Sequence, residues 1–183
     1  MKKGAVVGVF LCVSLLQIVT PLSMIAKRES VLKNGEQFKF KTVPVDPFDA
    51  FRGRYVALRI EEEKASIPEG SKLDHGQTVY ALINVDGQGF ANLGAVSTGK
   101  PRGKPYIQAK VKYISGGKAH LDLLIDRYYM EEGAAPKAEK IYLQHARRSK
   151  RNAYIIVRIK DGFAVVESLY VGDQRIEDAV RQE

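Results

Sequence analysis

Four carboxylates in the sequence form two close pairs, Asp46 with Asp49 and Glu131 with Glu132. Glycoside hydrolases use two carboxyl groups, one as a proton donor and the other as a base or nucleophile, so Asp46, Asp49 and Glu132 are candidate catalytic residues. Structural roles compete with this hypothesis, because the first pair fits the cap of a short helical turn and the second fits the end of a strand. The sequence also has no tryptophan to stack on a sugar ring. We therefore expect structural roles and keep a hydrolase with paired carboxylates as the alternative.

Other patterns of catalytic and metal-binding residues are weak. No Gly-x-Ser-x-Gly motif is present, so nothing indicates a serine nucleophile of that type. His75, His120 and His145 are far apart and no cysteine is near them, whereas zinc sites typically take their ligands from short, regular spacings. We expect no metal site and no cofactor.

Positive charge is the strongest bias in the composition. The chain has 29 Lys and Arg against 21 Asp and Glu, a net charge of +8. Arg147, Arg148, Lys150 and Arg151 form the densest basic run, which we interpret as an electrostatic binding patch. Aromatic side chains that could stack on bases are sparse around it, so we expect no nucleic-acid partner. Binding to an anionic lipid or polymer stays open as a further alternative.

One apolar segment determines where these side chains work. Residues 4–26 contain no charge and are flanked by Lys2 and Lys3 on one side and by Lys27 and Arg28 on the other. A helix of these 23 residues rises about 34 Å, enough to cross the ~30 Å hydrocarbon core of a bilayer. A signal peptide is the rival interpretation, but its apolar part is normally about 7 to 15 residues long. We favour an uncleaved anchor that contacts lipid through residues 4–26.

The charges before the anchor favour keeping the N-terminus in the cytoplasm. We therefore expect a single-pass membrane protein with residues 27–183 on the extracytoplasmic side. Cys12, the sole cysteine, lies within the apolar run, so the exported part must be stabilised by its core rather than by disulfides. We assign residues 1–28 to the anchor, 29–36 to a spacer and 37–183 to one domain. The oligomeric state does not follow from the sequence.

The elements that position these residues are mostly strands. The turn pairs Asp86-Gly87, Gly116-Gly117 and Asp161-Gly162 each separate two runs of alternating apolar and polar residues, as in antiparallel hairpins. Residues 55–60 alternate in the same way and predict a further strand, with Val56, Leu58 and Ile60 facing the core. The exported part is therefore expected to consist of paired strands.

The middle hairpin has the clearest pattern of faces. Ile107, Ala109, Val111 and Tyr113 alternate with polar residues, so we expect these four side chains on one buried face.

One helix is predicted among the strands, beginning near Pro136 and running toward Ser149, because apolar residues recur there at three- and four-residue spacing. The expected fold class is mainly β with one helix. It is a β-rich α+β domain whose antiparallel sheet or partly closed barrel is built from hairpins, preceded by a single N-terminal transmembrane helix.

The segment from Pro44 to Ile60 resembles a family signature. It reads Pro-Val-Asp-Pro-Phe-Asp-Ala-Phe-Arg-Gly-Arg-Tyr-Val-Ala-Leu-Arg-Ile, in which Gly53, Tyr55 and Leu58 match the signature of the GDYXXLXY family. An acid-glycine turn after Tyr128-Tyr129 and a closing hairpin at Asp161-Gly162 are similar to the same family pattern.

Two positions depart from that signature, since Arg54 replaces its aspartate and Ile60 its last tyrosine. A residue of opposite charge could not perform a chemical task of the aspartate. The substitution therefore favours a structural account of the motif, in which a glycine turn precedes a strand.

The resemblance implies a bacterial membrane-anchored protein of unestablished activity, in the inner membrane with a periplasmic domain. It also implies an envelope partner, foremost a polytopic membrane protein. We therefore expect a membrane-tethered binding or accessory module without catalysis, and an envelope hydrolase is the alternative. The candidate binding residues around the signature are Arg52, Arg54, Tyr55 and Arg59, with Arg147, Arg148, Lys150 and Arg151 as a second patch.

Overall fold

The structure is a computed structural model of the 183-residue chain, and it describes residues 3–43, 55–146 and 151–182. The helices in these ranges are α1 (Lys3–Asn34), α2 (Ala135–Ala146) and α3 (Ile176–Gln182). The strands are β1 (Glu36–Val43), β2 (Tyr55–Ala57), β3 (Arg59–Ile60), β4 (Lys64–Ser66), β5 (Thr78–Val85), β6 (Ala91–Ser97), β7 (Tyr106–Ser115), β8 (Lys118–Asp122), β9 (Arg127–Tyr129), β10 (Ala153–Lys160), β11 (Phe163–Val171) and β12 (Gln174–Arg175).

Helix α1 carries apolar side chains around most of its circumference. Its large apolar residues between Val6 and Ile25 are exposed, and the rest of the described chain does not cover them. Among the described helices, α1 alone is long and apolar enough to span a membrane. Such a surface is stable in lipid and unfavourable in water.

The last turns of α1 pack on the domain that follows. Val31 is buried, and the amide of Gly35 donates a hydrogen bond to the carbonyl of Val31 at 2.7 Å. Residues 29–34, which the sequence assigned to a spacer, continue the helix, and β1 begins at Glu36. A Cβ atom on Gly35 would lie 2.5 Å from the Val31 carbonyl oxygen. The exit from α1 is therefore a tight backbone junction that requires glycine.

The strands form a barrel and a sheet. The barrel is closed in the order β4-β6-β5-β7-β8, and the sheet has the order β12-β11-β10-β1-β3. Strands β2 and β9 form a separate two-stranded ribbon. Phe40 and Ile155, which face each other in the sheet, belong to the same buried cluster as Ile107 and Leu121 of the barrel. The β-rich fold class predicted from the sequence is confirmed. The predicted alternatives of a sheet or a partly closed barrel are both present, the barrel fully closed, and one core joins barrel and sheet.

The three hairpins predicted from their turn residues are present as β5–β6, β7–β8 and β10–β11. In the last of them, Asp161 and Gly162 have φ angles of 52° and 80°. Two consecutive positive φ angles are the geometry of a type I′ turn, which suits the twist of an antiparallel pair.

The face predicted for the middle hairpin is right for three residues of four. Ile107, Ala109 and Val111 are buried, but Tyr113 is 54% exposed. A bulge between Val111 and Tyr113 shifts the pairing of β7 with β8. Because a bulge adds a residue to one strand, it moves the side chains beyond it to the opposite face.

Helix α2 covers most of the predicted helix, and its Ala138, Ile141 and Tyr142 are buried as the spacing indicates. It ends at Ala146, and residues 147–149 lie outside the described ranges. Helix α3 was not predicted, because seven residues are too few for a clear helical period.

The predicted strand over residues 55–60 is divided between two partners. Strand β2 pairs with β9 in the ribbon, and β3 pairs with β1 in the sheet. Between them, Leu58 is buried and its amide donates to the carbonyl of Asp126 at 2.8 Å. The signature therefore joins the ribbon to the sheet.

Candidate functional site: a cleft at the end of strand β1

The first half of the signature strand lies in an aromatic cluster. Tyr55 is opposite Tyr129 in the ribbon, and their rings meet edge to face with centroids 5.7 Å apart. The guanidinium of Arg127 lies 5.1 Å from the centre of the Tyr55 ring, a cation–π distance. Tyr55 therefore contacts neighbouring side chains of the ribbon.

The second half of the signature strand leads into a cleft. Arg59 is opposite Val43, the last residue of β1. Both residues line a cleft of about 500 Å³, which we name the helix-distal cleft. Its other lining residues are Ile60, Glu61, Glu63, Lys64, Tyr113, His120, Ala146 and Arg151. The cleft thus combines residues of the sheet and the barrel with Ala146 at the end of α2 and Arg151 just before β10.

Hydrogen bonds fix the walls of this cleft. The hydroxyl of Tyr142, which is buried in α2, donates to the carbonyl of Val43 at 2.9 Å and holds the end of β1. Next to Arg151, the side chain of Asn152 lies 3.0 Å from Nδ1 of His145. Arg151 itself has a φ of 43°, a left-handed conformation that costs about 1–2 kcal/mol without glycine. Strained backbone of this kind is concentrated at functional sites.

Opposite charges share the helix-distal cleft. Arg151 and Glu61 form an ion pair at 3.5 Å, and Lys112 approaches Glu63 at 3.8 Å. Burial raises the pKa of the Glu63 carboxyl, and the positive charges of Lys112 and Arg59 act against that rise. Arginine in such a cleft can bind carboxylate groups with paired hydrogen bonds, and a glutamate can accept bonds from a cation or an amide.

The barrel side of the cleft presents an aromatic platform. The rings of Tyr113 and His120 are stacked, with centroids 4.0 Å apart. The β7–β8 bulge that turns Tyr113 outward brings these rings together across the hairpin. Tyr113 is exposed and His120 is partly buried, and aromatic rings beside charged groups are typical of surfaces that bind polypeptide segments.

The cleft lies far from α1. Strand β1 begins just after α1 and ends at Val43, and its seven residue steps cover about 23 Å. The cleft is therefore separated from the junction of α1 with the domain by the length of β1.

The structure unites two of the predicted binding residues. Arg59, from the signature, and Arg151, from the basic run, line the same cleft, whereas the sequence placed them in separate patches. Tyr55 lies in the ribbon, away from that lining. The remaining predicted binding residues lie outside the described ranges: Arg52, Arg54, Arg147, Arg148 and Lys150.

The residues of the hydrolase alternative are not brought together in the described part of the chain. Asp46 and Asp49 lie outside it, and Glu132 is exposed in the turn before α2. Among the described residues, no three His, Cys, Asp or Glu side chains form a group that could hold a metal ion.

Sequence reasoning missed four residues of the cleft: Glu61, Glu63, Tyr113 and His120. The acidic run that directly follows the signature offered a signal for the two glutamates. No sequence signal pointed to the Tyr113–His120 stack, because it depends on the bulge between Val111 and Tyr113.

A β-rich domain with a paired-charge cleft, carried on a helix of membrane-spanning length, is the class of protein that these observations define. The family model of the GDYXXLXY protein matches residues 17–169, and the chain belongs to this family. The match includes every lining residue of the helix-distal cleft. Searches of curated proteins and of solved structures find no match.

Proposed function

We propose that this chain is a membrane-tethered accessory module of the bacterial inner membrane, which binds a membrane-protein or envelope partner in the helix-distal cleft. Residues 4–26 of α1 span the bilayer, and the domain that follows lies in the periplasm. In this role the chain binds and catalyses no reaction.

The observation that carries this proposal is the convergence of Arg59 and Arg151 on one cleft. Both are exposed, and they stand beside the carboxylates of Glu61 and Glu63. A polar polypeptide segment can donate hydrogen bonds to the glutamates and accept them from the arginines, whereas a simple anion can only accept.

The tether makes a weak interface sufficient. A domain held at the bilayer meets partners of the same membrane at a high effective concentration, so an extramembrane loop can be bound without a large contact area. The distance of about 23 Å along β1 supports a partner that reaches the cleft with a loop or small domain extending beyond the headgroups.

Site-specific photocrosslinking of the full-length protein in its native membrane tests the proposal. A photoreactive phenylalanine derivative replaces Tyr113, which is 54% exposed in the cleft, and in a control it replaces Val85, which is 57% exposed and lies outside the cleft lining. We expect a discrete adduct with another protein from position 113 only. The charge reversal Arg59→Glu/Arg151→Glu should abolish it, and Lys72→Glu/Lys118→Glu, at two other exposed positions, should not.

Two outcomes would contradict the proposal. Equal adducts from positions 113 and 85, or an adduct that survives the Arg59→Glu/Arg151→Glu change, would show that the cleft does not select the partner. An adduct with the mass of two copies of this chain would make the cleft a self-association surface. The variant Arg54→Ala/Tyr55→Ala tests whether signature residues outside the cleft lining contribute to binding. We expect it to weaken the adduct less than the charge reversal does.

Fractionation and protease accessibility test the location. We expect the chain in the membrane fraction, with the domain digested when protease is added to the periplasmic side. A soluble chain, or a domain digested only from the cytoplasmic side, would overturn the proposed placement.

A further inference from the structure

A second cleft lies at the opposite end of the domain, where α1 joins it. It has a volume of about 700 Å³ and is enclosed by the last turns of α1, the first half of β7 and the β10–β11 hairpin. We name it the helix-proximal cleft. Its charged lining residues are five cations and one carboxylate: Lys27, Arg28, Lys100, Lys110, Lys160 and Asp161.

The cations of this cleft keep their charge available. Lys160 donates a hydrogen bond from Nζ to Oγ of Ser30 at 3.2 Å, and Nζ of Lys27 lies 4.1 Å from the centre of the Phe163 ring. Among the ion pairs of the described residues, none involves any of the five cations. Five positive charges around one carboxylate therefore produce a strong local positive potential in a concave site.

The position of the cleft is set by the apolar helix. Lys27 is the first residue after the uncharged run of residues 4–26. With that run in the hydrocarbon core, Lys27 and Arg28 lie at the level of the lipid headgroups. The cleft therefore opens at the depth where lipid phosphates are found.

An exposed leucine stands at the edge of the same cleft. Leu124 lines it and is 70% exposed, the highest exposure among the large apolar side chains of the described residues outside the apolar run. Its φ is 55°, a left-handed conformation that is unusual for leucine. An exposed apolar side chain next to lysines at headgroup depth is the composition of a surface that inserts into the acyl boundary.

We propose that the helix-proximal cleft binds the phosphate of an anionic glycerophospholipid from the membrane that α1 spans, with Leu124 contacting its acyl chains. Lys100, Lys110 and Lys160 surround the phosphate, and Lys27 and Arg28 close the side next to α1. The bound lipid seats the domain on the bilayer in one orientation. This inference rests on the membrane placement proposed above and is independent of the partner in the helix-distal cleft.

Native mass spectrometry of the full-length protein in neutral detergent micelles tests this inference. The probes are short-chain phosphatidylglycerol, short-chain phosphatidylcholine and glycerol 3-phosphate. We expect phosphatidylglycerol to bind at least tenfold more tightly than either of the others, because only this probe offers both a net negative charge and acyl chains.

Three variants and a matched control give the test its specificity. Lys100→Gln/Lys110→Gln/Lys160→Gln should weaken phosphatidylglycerol binding about 100-fold, since each lysine contributes about fivefold near an anionic surface. The double variant Lys100→Gln/Lys110→Gln leaves the Lys160–Ser30 hydrogen bond intact and should weaken binding about 25-fold on the same basis. Leu124→Ser should weaken phosphatidylglycerol binding without changing that of glycerol 3-phosphate. The control Lys72→Gln/Lys118→Gln/Lys140→Gln removes the same charge from other exposed positions and should have no effect.

Equal binding of phosphatidylcholine and phosphatidylglycerol, or equal effects of the cleft and control variants, would overturn the inference. If glycerol 3-phosphate binds as tightly as phosphatidylglycerol and Leu124→Ser changes neither affinity, the lipid inference is overturned. The ligand would then be a soluble phosphate compound. The crosslink from position 113 distinguishes a failure of this inference from a failure of the proposed function. We expect the lysine and Leu124 variants of the helix-proximal cleft to retain that crosslink. A failure of the lipid assay with an intact crosslink refutes the lipid site alone.

Discussion

The two clefts lie at opposite ends of β10 and differ in the balance of their charges. The helix-proximal cleft has five cations and one carboxylate, and none of the cations is ion-paired within the described chain. The helix-distal cleft has Arg59, Lys64 and Arg151 beside Glu61 and Glu63, and includes the Arg151–Glu61 pair. An unbalanced cluster attracts a compact anion from any direction, whereas a balanced one selects a ligand whose donors and acceptors match it. One domain thus carries two different kinds of recognition.

Both clefts also contain a non-glycine residue in the left-handed region. Leu124 at the helix-proximal cleft has a φ of 55°, and Arg151 at the helix-distal cleft has a φ of 43°. The third such residue among the described ranges, Asp161, also lines the helix-proximal cleft, but its left-handed backbone is accounted for by the β10–β11 turn. Leu124 and Arg151 lie outside the hairpin turns, and their strained backbone supports the binding roles proposed for them.

The largest effect is expected from Gly162→Ala, which damages the helix-proximal end alone. Gly162 has a φ of 80°, and a Cβ there would lie 2.6 Å from the Tyr106 ring. We expect the free energy of unfolding to fall by about 2–5 kcal/mol, the sum of a left-handed alanine and an overpacked contact. Chemical denaturation of the full-length protein in detergent measures it.

Gly116→Ala is the matched control for that prediction. Gly116 has a φ of 57°, but a Cβ there would meet no other heavy atom within 4 Å, so we expect a loss of only about 1–2 kcal/mol. Equal losses at Gly162 and Gly116 would mean that the hairpin does not press on the barrel beside the cleft.

A smaller effect distinguishes two tyrosines, of which only one supports the helix-distal cleft. Tyr142→Phe removes a neutral hydrogen bond to Val43 and should lower the free energy of unfolding by about 1 kcal/mol. Tyr128→Phe removes a hydrogen bond to the carboxylate of Glu177 in α3 and should lower it by about 2 kcal/mol. The Tyr113 crosslink should weaken in Tyr142→Phe and persist in Tyr128→Phe. A crosslink that persists in Tyr142→Phe and weakens in Tyr128→Phe would show that the hydrogen bond from α2 does not hold Val43 in the cleft wall.

These tyrosines also predict a pH dependence at the alkaline end. Burial raises the pKa of Tyr128 and of Tyr142 to about 12, from an ordinary value of 10.0. Between these values the folded chain keeps protons that the unfolded chain has released, so the free energy of unfolding falls as pH rises from about 10 to about 12. Each Phe variant should show a shallower fall than the unaltered protein. If both variants show the same dependence of the unfolding free energy on pH as the unaltered protein, Tyr128 and Tyr142 are not the source of the alkaline loss of stability.

The smallest effect on stability is expected at the Arg151–Glu61 pair, although it lies in the proposed binding site. Both side chains are partly exposed, so a double-mutant cycle with Arg151→Ala and Glu61→Ala should give a coupling of about 0.2–1 kcal/mol. The Tyr113 crosslink should nevertheless weaken in Arg151→Ala. A coupling above about 2 kcal/mol would instead identify the pair as a structural support.

Much of the fold follows from local pattern. The hairpin turns at Asp86-Gly87, Gly116-Gly117 and Asp161-Gly162 are present, as is the helix around Ile141 and Tyr142. Turn chemistry and side-chain period act over a few residues, so the sequence displays them directly. The candidate site could be predicted only in part. The sequence pointed to Arg59 and Arg151 as binding residues but gave no reason to place them together.

The sequence by itself determined the membrane-length helix, the β-rich class and the basic balance of the chain, because each depends on composition or on short-range period. The tertiary structure alone decided that the signature strand divides at Leu58, that Tyr113 turns outward and that Arg59 meets Arg151. These outcomes depend on strand partners far apart in the chain and on one bulge. Only the closing of the barrel against the sheet brings such partners together, and it also separates the charges of the chain into an unbalanced cleft beside the helix and a balanced one away from it.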